Sequence, residues 1–415
     1  MKTIKSLFLL ILIFLTFNLK STLIQFNEFQ NRTKIIEQED GIIIKTIYGE
    51  TLITENVLIE LIKSKPMQRL KKIHQYGVSH YVMPQEVYGN IQRKNWKNKD
   101  YNRFDHSIGV FFLLKKYGAS LEEQITGLLH DVSHTVFSHV GDFLYAKYET
   151  DGPAYQDTIF KRFIKQSEIS GILQRYKIKF DLIDPEDSKY RMLEQELPNI
   201  CADRLEYTLH GAFVKEILSK ENITEILEHL KFNTSGKIWY LNSKEVALKF
   251  AYSSLELTKT VSAPAWNTLI FRWTAEALKL AKKLEIIDTK EIEKGTDNKT
   301  WKKLQLSDNE QIKELMEKTT NVEKMYDLPK NFIYGTRTKW NEIIPTKFRG
   351  INPTVIIDNE LKLLTEINDV FNNTYIEIMN QVTEGWPVRF YTEDEIETAK
   401  MYYQKYGELP KNYLQ

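Results

Sequence analysis

Gly127-Leu128-Leu129-His130-Asp131-Val132-Ser133-His134 is the stretch that decides how this chain folds. It places an imidazole and a carboxylate side by side at the end of an apolar run, ITGLLHD, within a segment of helical periodicity spanning 121–132. Histidines crowd around it. Four of the eight in the chain (His106, His130, His134 and His139) fall between residues 106 and 139. Two imidazoles and neighbouring carboxylates meeting in a helical bundle make a mixed nitrogen and oxygen ligand set. Such a set suits a divalent Mn, Fe, Co or Zn ion, and Mg less well. No cysteine stands nearby, so a closed structural zinc site is not expected and coordination positions stay open for water. A cation held this way lowers the pKa of a coordinated water and polarises a phosphoryl oxygen, as phosphate-ester hydrolysis requires. If the helix runs on past His130, His134 shares its face at about 6 Å.

Composition agrees with a helical fold. At 415 residues the chain is long enough for two average domains, or one large domain with additions. With 17 glycines and 11 prolines it is poor in turn-forming residues, which disfavours a sandwich or barrel and favours long helices. The 57 Lys and Arg nearly cancel the 56 Asp and Glu, for a net charge of +1. No global field gathers nucleic acid or an anionic membrane, so nucleic acid is not an expected partner, a membrane is one only through the N-terminal segment, and any phosphate recognition must be local. The single cysteine, Cys201, excludes an intrachain disulfide and reads as a small buried hydrophobe.

The chain divides by texture. Lys2 and Lys5 precede an apolar run from Leu7 to Leu15, so residues 1–21 read as a signal peptide or signal anchor. A secreted or periplasmic protein is expected, with membrane-anchored or cytoplasmic placement as alternatives. Residues 22–40 read as a linker. Gly41 to Thr54 alternates β-branched residues around Tyr48-Gly49, a small hairpin. Helical periodicity recurs over 106–118, 121–132, 138–149, 154–168, 191–217 and 244–285. Residues 85–101 form a polar loop in which Arg93, Lys94, Lys97 and Lys99 surround Trp96, read as a solvated basic loop. A turn or hairpin is expected over 231–243, and Ile343 to Ile357 reads as extended. These readings give one domain over 41–230 and a mainly helical C-terminal region over 231–415.

Three segments together resemble a known family: Arg103-Phe104-Asp105-His106-Ser107-Ile108-Gly109-Val110, then Gly127 to His134, then Phe137-Ser138-His139. The resemblance is to the HD-domain phosphohydrolase superfamily, in its deoxynucleoside triphosphate triphosphohydrolase branch. It extends over roughly 41–215 and includes Ile47-Tyr48-Gly49, Pro66 to Leu70, Gln75-Tyr76-Gly77 and Ala202-Asp203-Arg204-Leu205-Glu206-Tyr207. It implies a mainly α fold, a helical bundle with a small N-terminal β-hairpin and a helical C-terminal extension. It also implies His106, His130, Asp131 and Asp203 as metal ligands. His134 would face the scissile phosphate as proton donor or electrostatic clamp, and His139 would contact phosphate with Asp142 orienting it. Arg103 would hold phosphate, Arg204 and Tyr207 phosphate and sugar, and Gln75 sugar or base.

The implied activity is metal-dependent hydrolysis of a small phosphate or nucleotide substrate, best guessed as a (deoxy)nucleotide. A phosphatase of monophosphates or other esters, and a nucleotide-binding regulatory module with little turnover, are the alternatives. Relatives of this branch often assemble, so a homo-oligomer is an expected possibility. Three departures stand out. Ser133 and Thr135-Val136 replace small residues and a proline near the catalytic histidine. Tyr155-Gln156-Asp157 occupies the stretch of an expected second histidine. Gly211 falls where an acid would recognise the sugar.

Overall fold

A computed structural model of the chain describes residues 32–82, 101–145, 154–327 and 342–406. The loop reading of 85–101 and the signal reading of 1–21 concern residues that lie almost wholly outside this description. The chain opens on an antiparallel sheet, β1 (Lys34–Gln38), β2 (Gly41–Thr46) and β3 (Gly49–Ile53). Ile42 and Ile44 are buried while Ile43 between them is half-buried, the two-residue alternation of a strand with one covered face. The hairpin is where the sequence placed it. β1, however, lies in the expected linker: it pairs Ile35 with Ile44 along the edge of β2 but buries almost nothing, so no apolar pattern marks it.

Helices α1 (Asn56–Lys63) and α2 (Lys65–Arg69) lead to the central helix α3 (Arg103–Lys116). Asn102 caps α3 by accepting from the Asp105 amide, and every residue from Arg103 to Leu114 is buried. A helix covered on all sides runs through the middle of a bundle. Next comes α4 (Leu121–Leu129), capped by Ser120, which accepts from the Glu123 amide. It ends at Leu129, so His134 does not share a helical face with His130; a turn intervenes.

The chain continues through α5 (Val140–Tyr145), α6 (Tyr155–Lys165), α7 (Glu168–Arg175), α8 (Ala202–Val214) and α9 (Lys220–His229). The helix expected over 191–217 begins only at Ala202. Before it, the Met192 and Leu193 amides donate to the Glu123 carboxylate, and the Met192 carbonyl accepts from Ala202 N and Trp239 Nε1. Side chains here satisfy the backbone groups that a helix would have paired.

Two further sheets exceed the single expected hairpin. One has the order β4 (Leu230–Asn233), β5 (Ile238–Leu241), β8 (Thr354–Ile357), β9 (Glu360–Leu363); the other has β6 (Tyr326–Asp327), β10 (Trp386–Phe390), β7 (Glu342–Ile344). Between and after them lie α10 (Lys244–Leu257), α11 (Ala265–Lys283), α12 (Thr289–Lys294), α13 (Asp297–Gln305), α14 (Glu310–Thr320), α15 (Leu364–Ile367), α16 (Asp369–Glu384) and α17 (Glu393–Tyr406). The described chain is mostly helical. Two of its three apolar cores draw on both sides of residue 230. One joins Val110 and Leu205 to Trp239, Phe250 and Phe371; another joins Phe137 and Val140 to Trp266, Leu278 and Val388. Each such large side chain contributes roughly 1.5–3 kcal/mol by leaving water. Among the described residues no helix is long and apolar enough to cross a membrane.

Candidate metal centre

Three elements bring their first or last turns to one point. The N-terminal turn of α3 carries His106, the turn after α4 carries His130 and Asp131, and the first turn of α8 carries Asp203. His106 Nε2 lies 3.1 Å from His130 Nε2 and 2.9 Å from Asp203 Oδ1, which is 3.5 Å from His130 Nε2. One ligand atom from each of these three residues falls within 4.8 Å of the others. Asp131 stands beside them, its oxygens 3.5 Å from each of the two Nε2 atoms.

The donor set fits a divalent cation. His130 Nδ1 is 2.7 Å from the Gly127 carbonyl and must donate to it; His106 Nδ1 meets the Glu206 carboxylate and must donate likewise. Both ring protons are thus committed outward, and both Nε2 lone pairs point at the same place. Two lone pairs and two carboxylates around one point repel unless a positive charge lies between them. Burial opposes charging His106, but Glu206 and Asp203 outweigh it and raise the ring's pKa to about 10, so without a cation a proton occupies Nε2, the proton a bound metal ion would displace. Burial likewise opposes charge on Asp203, yet the two imidazoles carry its carboxyl far below the usual range.

Glu206 is the residue the sequence reading quoted without assigning. It has no exposed surface, and burial alone would raise its pKa; His106 and His210 instead bring it to about 2. Its Oε2 also accepts from the Tyr101 hydroxyl, and its Oε1 accepts from Tyr48 at 3.1 Å and His210 Nδ1 at 2.9 Å. Space for it comes from Gly109 on α3: a Cβ there would stand 2.6 Å from Glu206 Cγ and would overlap its carboxylate. The available signal was its position three residues after Asp203, on the same face of α8.

Arg103 is buried and bonded on two of its three nitrogens, while Nη2 has only a 3.5 Å contact to the Gln75 carbonyl. Its Nη1 donates to Asp131 Oδ2, its Nε donates to Ser138 Oγ at 2.8 Å, and 3% of its surface is exposed. Burial would raise Asp131; Arg103, His130 and His134 drive it well below the carboxylate range. His134 Nε2 lies 3.2 Å from Asp131 Oδ1, which fixes the proton on Nε2 and leaves Nδ1 a lone pair, buried and without a hydrogen-bond partner among the described residues. Burial, then Arg103, push this ring down to about 3, so it is neutral.

The turn carrying these groups is unusual. Phe137 and Ser138 have φ of 58° and 54°, a left-handed conformation costly for such residues. It is held by buried Asp297, which accepts from Phe137 N at 2.7 Å and His74 N at 2.8 Å, and by Arg69, whose guanidinium donates to the His134, Glu293 and Gly295 carbonyls. The turn sets His139 against His134, with ring centroids 5.1 Å apart. Asp142 orients His139 through Nδ1 at 3.0 Å, as the sequence suggested.

The remaining expected residues divide. Gln75 has a buried Oε1 with no partner among the described residues. Arg204, the residue after Asp203, is tied to Glu194 at 2.8 Å and to the Asn199 carbonyl at 3.2 Å. Tyr207 is half-buried; burial raises its hydroxyl pKa, against the pull of Arg349 and Arg204. Asp157, in the stretch lacking the expected histidine, is raised to about 7 by burial, then by Glu186, Asp131 and Asp142.

Comparison with known proteins finds an HD domain over residues 103–184. The chain is 34% identical over 315 residues to the uncharacterized protein YdhJ of Bacillus subtilis, which covers 76% of this chain and 88% of that protein. It is 28% identical over 292 residues to the metal-dependent phosphohydrolase cns2 of Cordyceps militaris, covering 69% and 80% respectively. Among solved structures, a phosphohydrolase from Bacteroides thetaiotaomicron matches with a TM-score of 0.57 at 18% identity, over 86% of this chain and 100% of that one. At that identity the likeness is one of fold.

Proposed function

Because this chain belongs to the HD-domain phosphohydrolase superfamily, we propose that it is a metal-dependent phosphohydrolase whose substrate class is the (deoxy)nucleotide. The observation that carries the reading is the convergence of His106, His130 and Asp203, with both imidazole protons committed elsewhere. These three residues, with Asp131 completing the set, are the proposed ligands of a divalent metal ion. Bound there, the ion supplies a Lewis acid for a phosphoryl oxygen and lowers the pKa of a water.

The chain's own groups supply the rest. The proposed role of His134 is that of proton donor or electrostatic clamp at the scissile phosphate; in the metal-free chain Asp131 holds its Nε2 proton and burial keeps the ring neutral. His139, whose Nδ1 donates to Asp142, would contact a phosphate oxygen through Nε2 in its protonated form, which the charge of a bound phosphate would favour. Arg103 acts at one remove, by neutralising and positioning Asp131. Arg204 and Tyr207 flank Asp203 on α8, where they are proposed to hold the phosphate chain and sugar.

Gly211 favours a second reading. It supplies no carboxylate, and a Cβ there would meet the Tyr76 hydroxyl at 2.8 Å. Without an acid to select the sugar, a phosphatase of other phosphate esters is the alternative. Both readings are tested by loading the purified full chain with Mn and assaying a nucleoside triphosphate, a monophosphate and phenyl phosphate. Turnover of the nucleotide supports the first reading, and turnover confined to the monoesters supports the second. Binding without turnover would leave a regulatory module. Export through residues 1–21 is proposed from the sequence, and N-terminal sequencing of the mature protein checks it.

A further inference from the structure

Residues 292–297 run from the last turn of α12 to the first residue of α13, far along the chain from the matched HD domain. They nevertheless bond to the turn that carries His134 and His139. Val136 N donates to the Ile292 carbonyl at 2.9 Å. The Arg69 guanidinium donates to the Glu293 and Gly295 carbonyls at 3.0 Å and also to the His134 carbonyl, bridging segment and turn. Asp297 completes the set. It has no exposed surface, and its two carboxylate oxygens accept from Phe137 N at 2.7 Å and His74 N at 2.8 Å. The Glu293 side chain works from the other side: it accepts from the Tyr155 hydroxyl at 2.8 Å and from Arg162, both on α6. The Tyr155 amide in turn donates to Asp142 Oδ1 at 2.7 Å, and Asp142 orients His139.

Each amide that Asp297 holds stands close to a candidate site residue. His74 precedes Gln75, and Phe137 lies three residues after His134 and two before His139. Ser138 Oγ donates to the His74 carbonyl at 2.7 Å and accepts from Arg103 Nε, and Arg103 reaches Asp131. The two stretches are therefore closed on each other across one carboxylate, with a bonded path onward to the metal centre. This arrangement carries two costs that a plain connection between α4 and α5 would avoid. Phe137 and Ser138 adopt left-handed backbone that glycine would take freely. Asp297 is a buried anion bonded to no cation among the described residues. Strain and buried charge that persist together at one turn mark a geometry held for function.

We infer that Asp297 is a positioning residue: through the Phe137 and His74 amides it sets where His134 and His139 stand over the metal centre, and it takes no part in holding the metal. The inference rests on the hydrolase reading for the reaction that this placement serves. It goes beyond that reading by giving the C-terminal region, outside the matched residues 103–184, a part in catalysis. The proposed ligands His106, His130, Asp131 and Asp203 make no side-chain hydrogen bond to residues 292–297 among the described residues, so placement and metal binding should separate.

The test uses the full chain. Asp297→Ala removes both acceptors, and Asp297→Asn, the gentler change, leaves one oxygen for two amides. Both variants should take up Mn to the wild-type level. On whichever phosphate ester the wild type turns over, kcat should fall about 100-fold in the alanine variant and about tenfold in the asparagine variant, with KM moving less than about threefold. Histidine-labelled, metal-free protein gives a second readout by NMR. The His139 ring signals, set by the edge-on His134 ring 5.1 Å away, should shift in both variants. Leu173→Ala opens a cavity in a separate core, so it should lower the melting temperature and leave kcat and those signals unchanged. Loss of Mn from the Asp297 variants, an unchanged kcat, or His139 signals that stay in place would overturn the assignment. A wild type that turns over nothing sinks the hydrolase reading alone, because the His139 signals still decide whether Asp297 places that ring.

Discussion

His106 Nδ1 lies 2.5 Å from Oε2 of Glu206, a carboxylate with no exposed surface. The pair fixes which ring nitrogen carries the proton, and so turns Nε2 toward Asp203 and His130. A buried anion behind a liganding imidazole also raises its basicity.

Glu206→Gln keeps the shape but removes the charge. Its Mn affinity should fall by about 10–100-fold, the usual scale for losing such a partner. Equilibrium dialysis of the two proteins measures it. Equal affinities would reduce Glu206 to a core residue.

Gly109→Ala should destabilise the protein, although alanine favours a helix by about 1 kcal/mol. The added Cβ would overlap the Glu206 carboxylate, and such overpacking costs about 1–3 kcal/mol. Metal affinity should fall with it. Gly171 on α7 is the control: its Cβ would meet only Arg175 Nη1, at 4.0 Å, so Gly171→Ala should be neutral or stabilising by about 0.5–1 kcal/mol. Melting curves of the two variants should move in opposite directions.

Metal content and turnover should separate. Asp203→Ala and His130→Ala remove proposed ligands, so both should leave purification without stoichiometric metal. His134→Ala should keep the metal and lose about 10²–10⁴-fold in turnover, the range for a proton-transfer group. Elemental analysis beside the nucleotide assay decides it. Metal loss in the His134 variant would move that residue into the ligand set.

Asp157 makes stability depend on pH. Its carboxyl titrates near 7 in the folded chain and near 3.9 unfolded. Between those values the folded state holds a proton that the unfolded state has released. The stability present below about pH 4 is therefore lost as the pH climbs through 7. Asp157→Asn removes that loss, so the variant should gain on the wild type from pH 4 to pH 8, by about 2 kcal/mol for this partly exposed group. Denaturant titrations of the metal-free proteins measure it. Parallel curves would mean that Asp157 is ionised throughout.

What the sequence disclosed was local or periodic. His106, His130 and Asp131 stood out as a local crowd of imidazoles with an adjacent carboxylate at apolar helix ends, whereas Asp203, far along the chain, was reached only through the family resemblance. Partners distant in the chain were hidden. Nothing in the chain order says that Arg103 meets Asp131, because the two were read separately, one as a phosphate-holding residue and the other as a metal ligand. His134 was misplaced because α4 stops at Leu129 and a left-handed turn, held by Asp297 and Arg69, redirects the chain. Strand β1 was missed because a strand without a covered face leaves no apolar alternation. Glu206 was overlooked because a glutamate inside a helix ordinarily faces water.

The two cores that straddle residue 230 also bear on the order in which the protein comes into being. Translation delivers all four proposed ligands well before β7 leaves the ribosome. A nascent chain stalled ahead of β7 would carry those ligands yet lack Phe371 and Tyr375 from the core that clamps α3 and α8, and Val388 from the core around Phe137, so the ion should find a finished cage only after the C-terminal third has emerged.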